Sequence, residues 1–66
     1  MKISINGEIK TVAGSISLTQ LIASLDLTNH RVAIERNGAI VPRSQHAQTQ
    51  LVEGDALEIV VAVGGG

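Results

Sequence analysis

The last three residues of the sequence are glycines, and this segment is the one that most directly suggests a chemical role. A glycine segment carries no side chains, so Gly64, Gly65 and Gly66 could enter a narrow channel in another protein. The reactive group of this segment is the α-carboxylate of Gly66. We therefore expect residues 64–66 to form a flexible tail that becomes ordered inside a partner. The alternative is a frayed terminus without a role.

Few other side chains could do chemistry. The sequence contains two histidines, His30 and His46, and no cysteine. Neither histidine has nearby carboxylates at a metal-ligand spacing, and no serine lies in a G-x-S-x-G motif. His46 follows polar residues and is interpreted as a surface or packing residue. We expect no catalytic residue and no metal site, which disfavours an enzyme.

The composition limits both the fold and the partners. A chain of 66 residues permits one domain, and 21 Ile, Leu and Val side chains must supply its core without any aromatic residue. A formal net charge of −1 disfavours nucleic acid as a partner. No apolar run reaches the ~18 residues of a membrane span, and the N-terminus does not resemble a signal peptide. We expect a cytoplasmic protein without membrane contact.

The N-terminal residues have the pattern of a hairpin. Ile3 and Ile5 alternate with polar residues, which is the period of a half-buried strand. The pair Asn6-Gly7 favours the positive φ angles of a type I′ turn. We predict a return strand over residues 8–12.

The period then changes to that of a helix. Apolar residues with helical spacing predict one helix over residues 18–25. Ser17 and Gln20 have the spacing of a capping box, and Ile16 can pack against Leu21.

Strands are predicted again in the second half. A second pair, Asn37-Gly38, separates predicted strands over 31–36 and 39–41. Residues 43–50 are polar and are predicted to be irregular or to form one helical turn. The last strand is predicted over 56–63.

The predicted last strand has one face directed outward. Alternation places Leu57 and Ile59 inward and Val60 and Ala62 outward. Together with Ala33 on the neighbouring strand, these two outward residues could form a docking surface. An ordinary exposed surface is the alternative.

The charged residues receive structural interpretations. Arg31, Arg36 and Arg43 are spread along the chain and are interpreted as solvated surface residues. Asp55 follows Gly54 and is interpreted as a turn residue.

The order of elements predicts an α+β fold in which a mixed sheet of four to five strands packs on one main helix. The first strand should run parallel to the third or to the last one. We assign residues 1–63 to this domain and residues 64–66 to the tail.

Several short motifs follow one another along the whole chain. They are Ile3-Ser4-Ile5-Asn6-Gly7, Val32-Ala33-Ile34, Asn37-Gly38, Ile40-Val41-Pro42-Arg43, Glu53-Gly54-Asp55 and Gly65-Gly66. In this order and spacing the chain resembles the ubiquitin-like sulfur carriers with a β-grasp fold, and among them the ThiS family. It departs from the family in having His46 where many members have an aromatic residue, and Gly64 as a third terminal glycine.

The resemblance implies that this chain is a co-substrate of other enzymes. A ThiF-like partner, which itself holds ATP and magnesium, would adenylate Gly66. Sulfur taken from cysteine by a desulfurase would then convert Gly66 to a thiocarboxylate. A ThiG-like thiazole synthase would receive that sulfur for thiamine biosynthesis. No cofactor is expected on this chain.

Two alternatives stay open from the sequence. One is a molybdopterin-type or other sulfur carrier that uses the same tail chemistry. The other is a β-grasp interaction module without any reaction at its tail.

Overall fold

The first two strands form a hairpin closed by a tight turn. Strand β1 (Lys2–Ile5) pairs antiparallel with β2 (Glu8–Thr11). Between them Asn6 and Gly7 have φ angles of 51° and 87°, and two successive positive values are what a type I′ turn requires. The predicted hairpin is confirmed, although β2 ends one residue earlier than expected.

A second hairpin repeats this design. Strand β3 (Val32–Arg36) pairs antiparallel with β4 (Ala39–Val41), and the intervening Asn37 and Gly38 have φ angles of 52° and 88°. A single turn of 3-10 helix, Arg43–Gln45, follows. The helical turn predicted within residues 43–50 is therefore present.

The last strand lies at the centre of the sheet. The structure is a computed structural model that describes residues 1–62, and within it β5 spans Ala56–Val61. Strand β5 runs parallel to β1 and antiparallel to β3, which gives the strand order β2-β1-β5-β3-β4. The predicted mixed sheet is confirmed, and β1 is parallel to the last strand. The predicted end of this strand at Val63 lies outside the described residues.

The helix begins at the predicted capping box. Helix α1 spans Leu18–Ser24. The Ser17 hydroxyl accepts a hydrogen bond from the Gln20 N–H (3.1 Å), and the Gln20 side-chain oxygen accepts one from the Ser17 N–H (2.9 Å). The helix ends slightly earlier than predicted, because the chain turns at Asp26, whose φ is 60°.

The segment after the 3-10 helix covers the first turn of α1. The N–H groups of Leu18 and Thr19 donate to the carbonyl oxygens of Thr49 (3.0 Å) and His46 (3.3 Å). A helix leaves its first N–H groups without partners inside the helix. Here a distant part of the chain supplies those partners, so the start of α1 depends on tertiary structure.

The core lies between α1 and one face of the sheet. Its buried side chains are aliphatic: Ile3, Ile5, Ile16, Leu18, Leu21, Ile22, Ile34, Leu51, Leu57 and Ile59. Leu51 is buried, whereas Val52 is 54% exposed. The reason is the turn that follows, in which the Val52 backbone bonds to Asp55.

Candidate functional site

Strand β5, which leads towards the glycine segment, has one buried and one exposed face. Leu57 and Ile59 are buried, whereas Glu58, Val60 and Ala62 are exposed. This alternation agrees with the predicted orientation. Because α1 covers the opposite face of the sheet, the exposed side chains of β5 lie on a face without a covering element among residues 1–62.

Three small apolar residues on this exposed face form what we call the outer patch: Ala33, Val60 and Ala62. Ala33 lies directly opposite Val60 in the pairing of β3 with β5. Val60 is 64% exposed, and the Ala62 N–H donates to the Arg31 carbonyl oxygen (2.9 Å). The structure therefore brings together the residues that the sequence placed on one surface.

A further apolar residue and an acidic pair border the outer patch. Ile40 on β4 is 74% exposed and lies opposite Glu35, which in turn lies opposite Glu58 on β5. Like charges directly opposite each other destabilise a sheet. Sequence reasoning did not include Ile40 in this surface, although its alternation with Ala39 and Val41 was the available signal.

Both Asn-Gly turns hold β5 through their side-chain amides. Asn37 accepts a hydrogen bond from the Ala56 N–H (2.9 Å) at the start of β5. Asn6 accepts one from the Ile59 N–H (2.8 Å) and donates to the Ile59 carbonyl oxygen (3.1 Å). The Asn6 amide thus continues the ladder from β1 after the backbone has turned away. The Asn-Gly motif predicted the turns but not these contacts.

A polar cluster holds the residue that precedes β5. The Asp55 carboxylate is buried and accepts hydrogen bonds from Arg36 Nε (2.9 Å), Asn37 Nδ2 (3.1 Å) and the Val52 N–H (2.9 Å). Burial by itself raises the pKa of Asp55. The hydrogen bonds from Val52, Asn37 and Arg36, together with the charge of Arg36, outweigh burial and lower that pKa below its ordinary value.

This cluster corrects one interpretation and extends another. Arg36 is half-buried and paired with Asp55, so its interpretation as a solvated surface residue is wrong. Asp55 does stabilise the turn, through Val52, and it also joins that turn to β3.

The two histidines lie away from the outer patch. His46 is 4% exposed, and its Nε2 contacts the Val41 carbonyl oxygen (3.0 Å), as expected for a packing residue. His30 is exposed in the loop after α1. Within residues 1–62 no three His, Cys, Asp or Glu side chains cluster as metal ligands would. Over the same residues, no helix has the length and apolar character to cross a membrane.

The expected reactive segment falls outside the described residues. Gly64, Gly65 and Gly66 follow the last described residue, Ala62, by way of Val63. Their role and the division into a domain over 1–63 and a tail over 64–66 stay predictions.

Comparison with known proteins decides the family. The model of the ThiS family matches residues 3–66. The chain belongs to the ThiS family. The crystal structure of thiamine biosynthesis protein ThiS from Geobacter metallireducens has the same fold, with a TM-score of 0.84, 33% identity and full coverage of both chains. The β-grasp fold expected from the resemblance is therefore confirmed for this ThiS-family chain.

Two relatives show different contexts for a ThiS-family sequence. The sulfur carrier protein ThiS of Bacillus subtilis is 34% identical, and the match covers 97% of this chain and 98% of that protein. A thiazole synthase of Paramagnetospirillum magneticum is 44% identical over 66 residues, which are all of this chain but only 20% of that protein. The chain thus spans about a fifth of the length of the thiazole synthases that it matches.

Proposed function

We propose that this chain is a sulfur carrier of thiamine biosynthesis and that it acts as a co-substrate of other enzymes. The observation that carries the proposal is the match to the ThiS family, which extends over the glycine segment to residue 66. The B. subtilis relative, similar over nearly its whole length, is a sulfur carrier protein ThiS. The few polar side chains of the chain also fit a role in which partner enzymes supply the catalytic groups.

The chemistry proposed for Gly66 takes place in two steps. A carboxylate is a poor electrophile, so an adenylating enzyme of the ThiF type, holding ATP and magnesium, first converts it to an acyl adenylate. Sulfur that a cysteine desulfurase has taken from cysteine, released as sulfide when a thiol reduces the enzyme's persulfide, then displaces AMP and leaves a thiocarboxylate. Gly64 and Gly65 serve as the slender arm that carries this group into the active sites of the partners.

A thiazole synthase of the ThiG type is the proposed acceptor of the sulfur. The support comes from the thiazole synthases of P. magneticum and Magnetococcus marinus, each of which contains a region similar to this chain. Two functions that are joined in one protein in some organisms often belong to partners in others. No specific observation favours a molybdopterin-type acceptor.

Intact mass spectrometry tests the tail chemistry. We expect the purified protein, incubated with a ThiF-type enzyme, ATP, magnesium and sodium sulfide, to gain the mass difference between sulfur and oxygen. The mass before incubation also establishes that Gly66 carries a free carboxylate. An unchanged mass, under conditions in which B. subtilis ThiS is converted, would exclude the carrier function.

Two variants distinguish a loss of the tail reaction from a loss of folding. Deletion of Gly66 should abolish the mass gain and leave the thermal midpoint unchanged, because the core lies within residues 3–59. The substitution Gly14→Ala, at an exposed loop glycine where an added Cβ meets nothing within 4 Å, keeps the tail intact and serves as the matched control. If deletion of Gly66 unfolds the protein, the proposed separation of tail and domain is wrong.

The outer patch is the proposed docking surface for these partners. It is apolar, it lies on the exposed face of the sheet, and it is formed by the strand that leads to the glycine segment. A partner that covers Ala33 and Val60 would remove apolar surface from water while the arm enters its active site. Glu35 and Glu58 give this surface an acidic border.

A pair of valine variants tests this surface. Val60→Lys should slow thiocarboxylate formation about tenfold, because it places a charge in the centre of an apolar contact. Val52→Lys is the matched control, since Val52 is similarly exposed but lies in the turn before β5. Both variants should keep the circular dichroism spectrum of the parent protein. Equal rates for the two variants would exclude the outer patch as the contact surface.

A further inference from the structure

A cavity of about 260 Å³ lies on the helix side of the molecule. Its floor contains Ile22 of α1 and Val32 of β3, which face the core side of the sheet. The lining is completed by Thr19, Ala23, Thr28, His30, Arg43 and His46. This volume is close to the lower end, about 300 Å³, of pockets that hold small molecules.

His46 lines this cavity, and the fold uses only one nitrogen of its ring. The side chain is 4% exposed, and its Nε2 has the Val41 carbonyl oxygen as partner at 3.0 Å. A carbonyl oxygen only accepts hydrogen bonds, so Nε2 carries the proton and Nδ1 is left as the second polar atom of the ring. Among residues 1–62, Nδ1 has no hydrogen-bond partner, yet it is not sealed off as a buried unsatisfied atom. It therefore keeps some solvent exposure, at a residue that lines the cavity.

The charges around the cavity have one sign. Arg43 supplies a permanent positive charge. Neither Asp nor Glu is among the described residues of the lining, although acidic residues outnumber basic ones, six to five, in the chain as a whole. An apolar floor with a cationic rim complements a ligand that has an apolar body and an anionic group.

We propose that the cavity between α1, β3 and the 3-10 helix binds a small organic anion, with an apolar ring against Ile22 and Val32 and a phosphate or carboxylate group near Arg43. Arg43 donates hydrogen bonds to the anionic oxygens, as a guanidinium does to carboxylates and phosphates. His46 Nδ1, as the acceptor nitrogen of the ring, accepts a hydrogen bond from a hydroxyl of the ligand.

This site is independent of the proposed sulfur-carrier chemistry. The outer patch residues Ala33 and Val60 lie on the exposed face of the sheet, whereas Val32 faces the opposite side. An anion in the cavity therefore leaves the outer patch uncovered.

Titration with phenyl phosphate, followed by ¹H–¹⁵N NMR, tests the proposal on the full chain. We expect the amide signals of Thr19, Ile22, Val32 and His46 to shift together and to saturate by about 10 mM ligand. Inorganic phosphate, which lacks the ring, and benzyl alcohol, which lacks the anion, should each bind more weakly than phenyl phosphate. No saturable shift at these residues, or equal binding of benzyl alcohol and phenyl phosphate, would overturn the proposal.

Two arginine variants identify the charge that matters. Arg43→Gln should weaken phenyl phosphate binding roughly five- to tenfold, because it removes a charge-assisted hydrogen bond. Arg31→Gln is the matched control, since Arg31 is exposed but does not line the cavity. Equal affinities of the two variants would show that only the overall charge of the protein is sensed, which contradicts the proposed site.

His46→Phe tests the second polar contact. It keeps a ring of similar size and removes the acceptor Nδ1, so affinity for benzyl alcohol, whose hydroxyl can donate to Nδ1, should fall, whereas affinity for phenyl phosphate, which binds through Arg43, should be retained. The Arg43→Gln result decides the proposal if His46→Phe fails to fold, because Arg43 is exposed and its loss does not disturb the core.

Discussion

At the scale of single residues, Asp55 joins three parts of the chain that are separate in the sequence. Its carboxylate bonds to Arg36 at the end of β3, to Asn37 in the second Asn-Gly turn and to the backbone of Val52. All three contacts favour the ionised form over the protonated form. The stability of the protein should therefore depend on the charge of this one residue.

Asp55→Asn should lower the free energy of unfolding at neutral pH by about 1–3 kcal/mol, since buried donors lose an ionised acceptor. The lowered pKa of Asp55 in the folded state stabilises the protein above the ordinary value of about 4, and this contribution is lost as the pH falls through the folded-state value. The parent should therefore lose more stability than Asp55→Asn on acidification.

Urea unfolding at neutral and acidic pH measures both effects. The chain has no aromatic residue, so the transition is followed by far-ultraviolet circular dichroism rather than by fluorescence. Glu8→Gln is the control, because Glu8 is an exposed carboxylate. Identical acid dependence in the parent and in Asp55→Asn would contradict the assigned role.

Part of this cluster could be predicted from the sequence. The spacing of Val52, Gly54 and Asp55 is local and indicates a turn. The pairing of Arg36 with Asp55 spans 19 residues and depends on β3 and β5 being neighbours. No periodicity marks such a contact, so Arg36 could not be distinguished from Arg31 and Arg43.

At the scale of elements, the seven residues of α1 are too few for an independent helix. Its start is stabilised by the Ser17–Gln20 capping box and by backbone contacts to Thr49 and His46. The capping box was readable in the sequence because its two residues are three positions apart. The contacts to Thr49 and His46 could not be predicted from the sequence, because they come from a segment without a regular pattern.

Ser17→Ala should lower the free energy of unfolding by about 1 kcal/mol, because the Gln20 N–H loses its acceptor. Urea unfolding compares this variant with Ser15→Ala. Ser15 is exposed and precedes the helix, so its loss should change stability by less than about 0.5 kcal/mol. Equal effects of the two substitutions would show that the cap contributes nothing.

The attachment of β5 to the first hairpin provides a second prediction at this scale. Asn6→Gly retains the positive φ of the turn and removes both bonds to Ile59, so stability should fall by about 1–2 kcal/mol. Hydrogen exchange of the Ile59 N–H should become faster. Asn6→Asp keeps the acceptor for that N–H and should protect it more than glycine does. Unchanged exchange in Asn6→Gly would contradict the contact.

At the scale of the whole molecule, helix α1 covers one face of the sheet, and no element among residues 1–62 covers the other face. The binary pattern of the sequence predicted this arrangement, because inward and outward positions of β5 alternate regularly. It did not predict the cavity. That space arises where the residues of α1, β3 and the 3-10 helix meet, and their mutual distances depend on packing rather than on spacing in the sequence.

The small core makes single core residues important for overall stability. Leu18→Ala should cost about 2–5 kcal/mol, because Leu18 is fully buried. A chain of this length has a total stability of roughly 3–10 kcal/mol. Ile40→Ala, at a residue that is 74% exposed, is the control and should change the urea midpoint little. A similar loss in both variants would mean that Leu18 does not pack as described.

The two asparagines that form hydrogen bonds with β5 are also the sites where we expect deamidation. Each one precedes a glycine, and asparagine is among the thermally labile residues. Deamidation of Asn6 would place a carboxylate oxygen against the Ile59 carbonyl, where the amide now donates. Slow deamidation during storage would therefore weaken the attachment of β5 to the first hairpin.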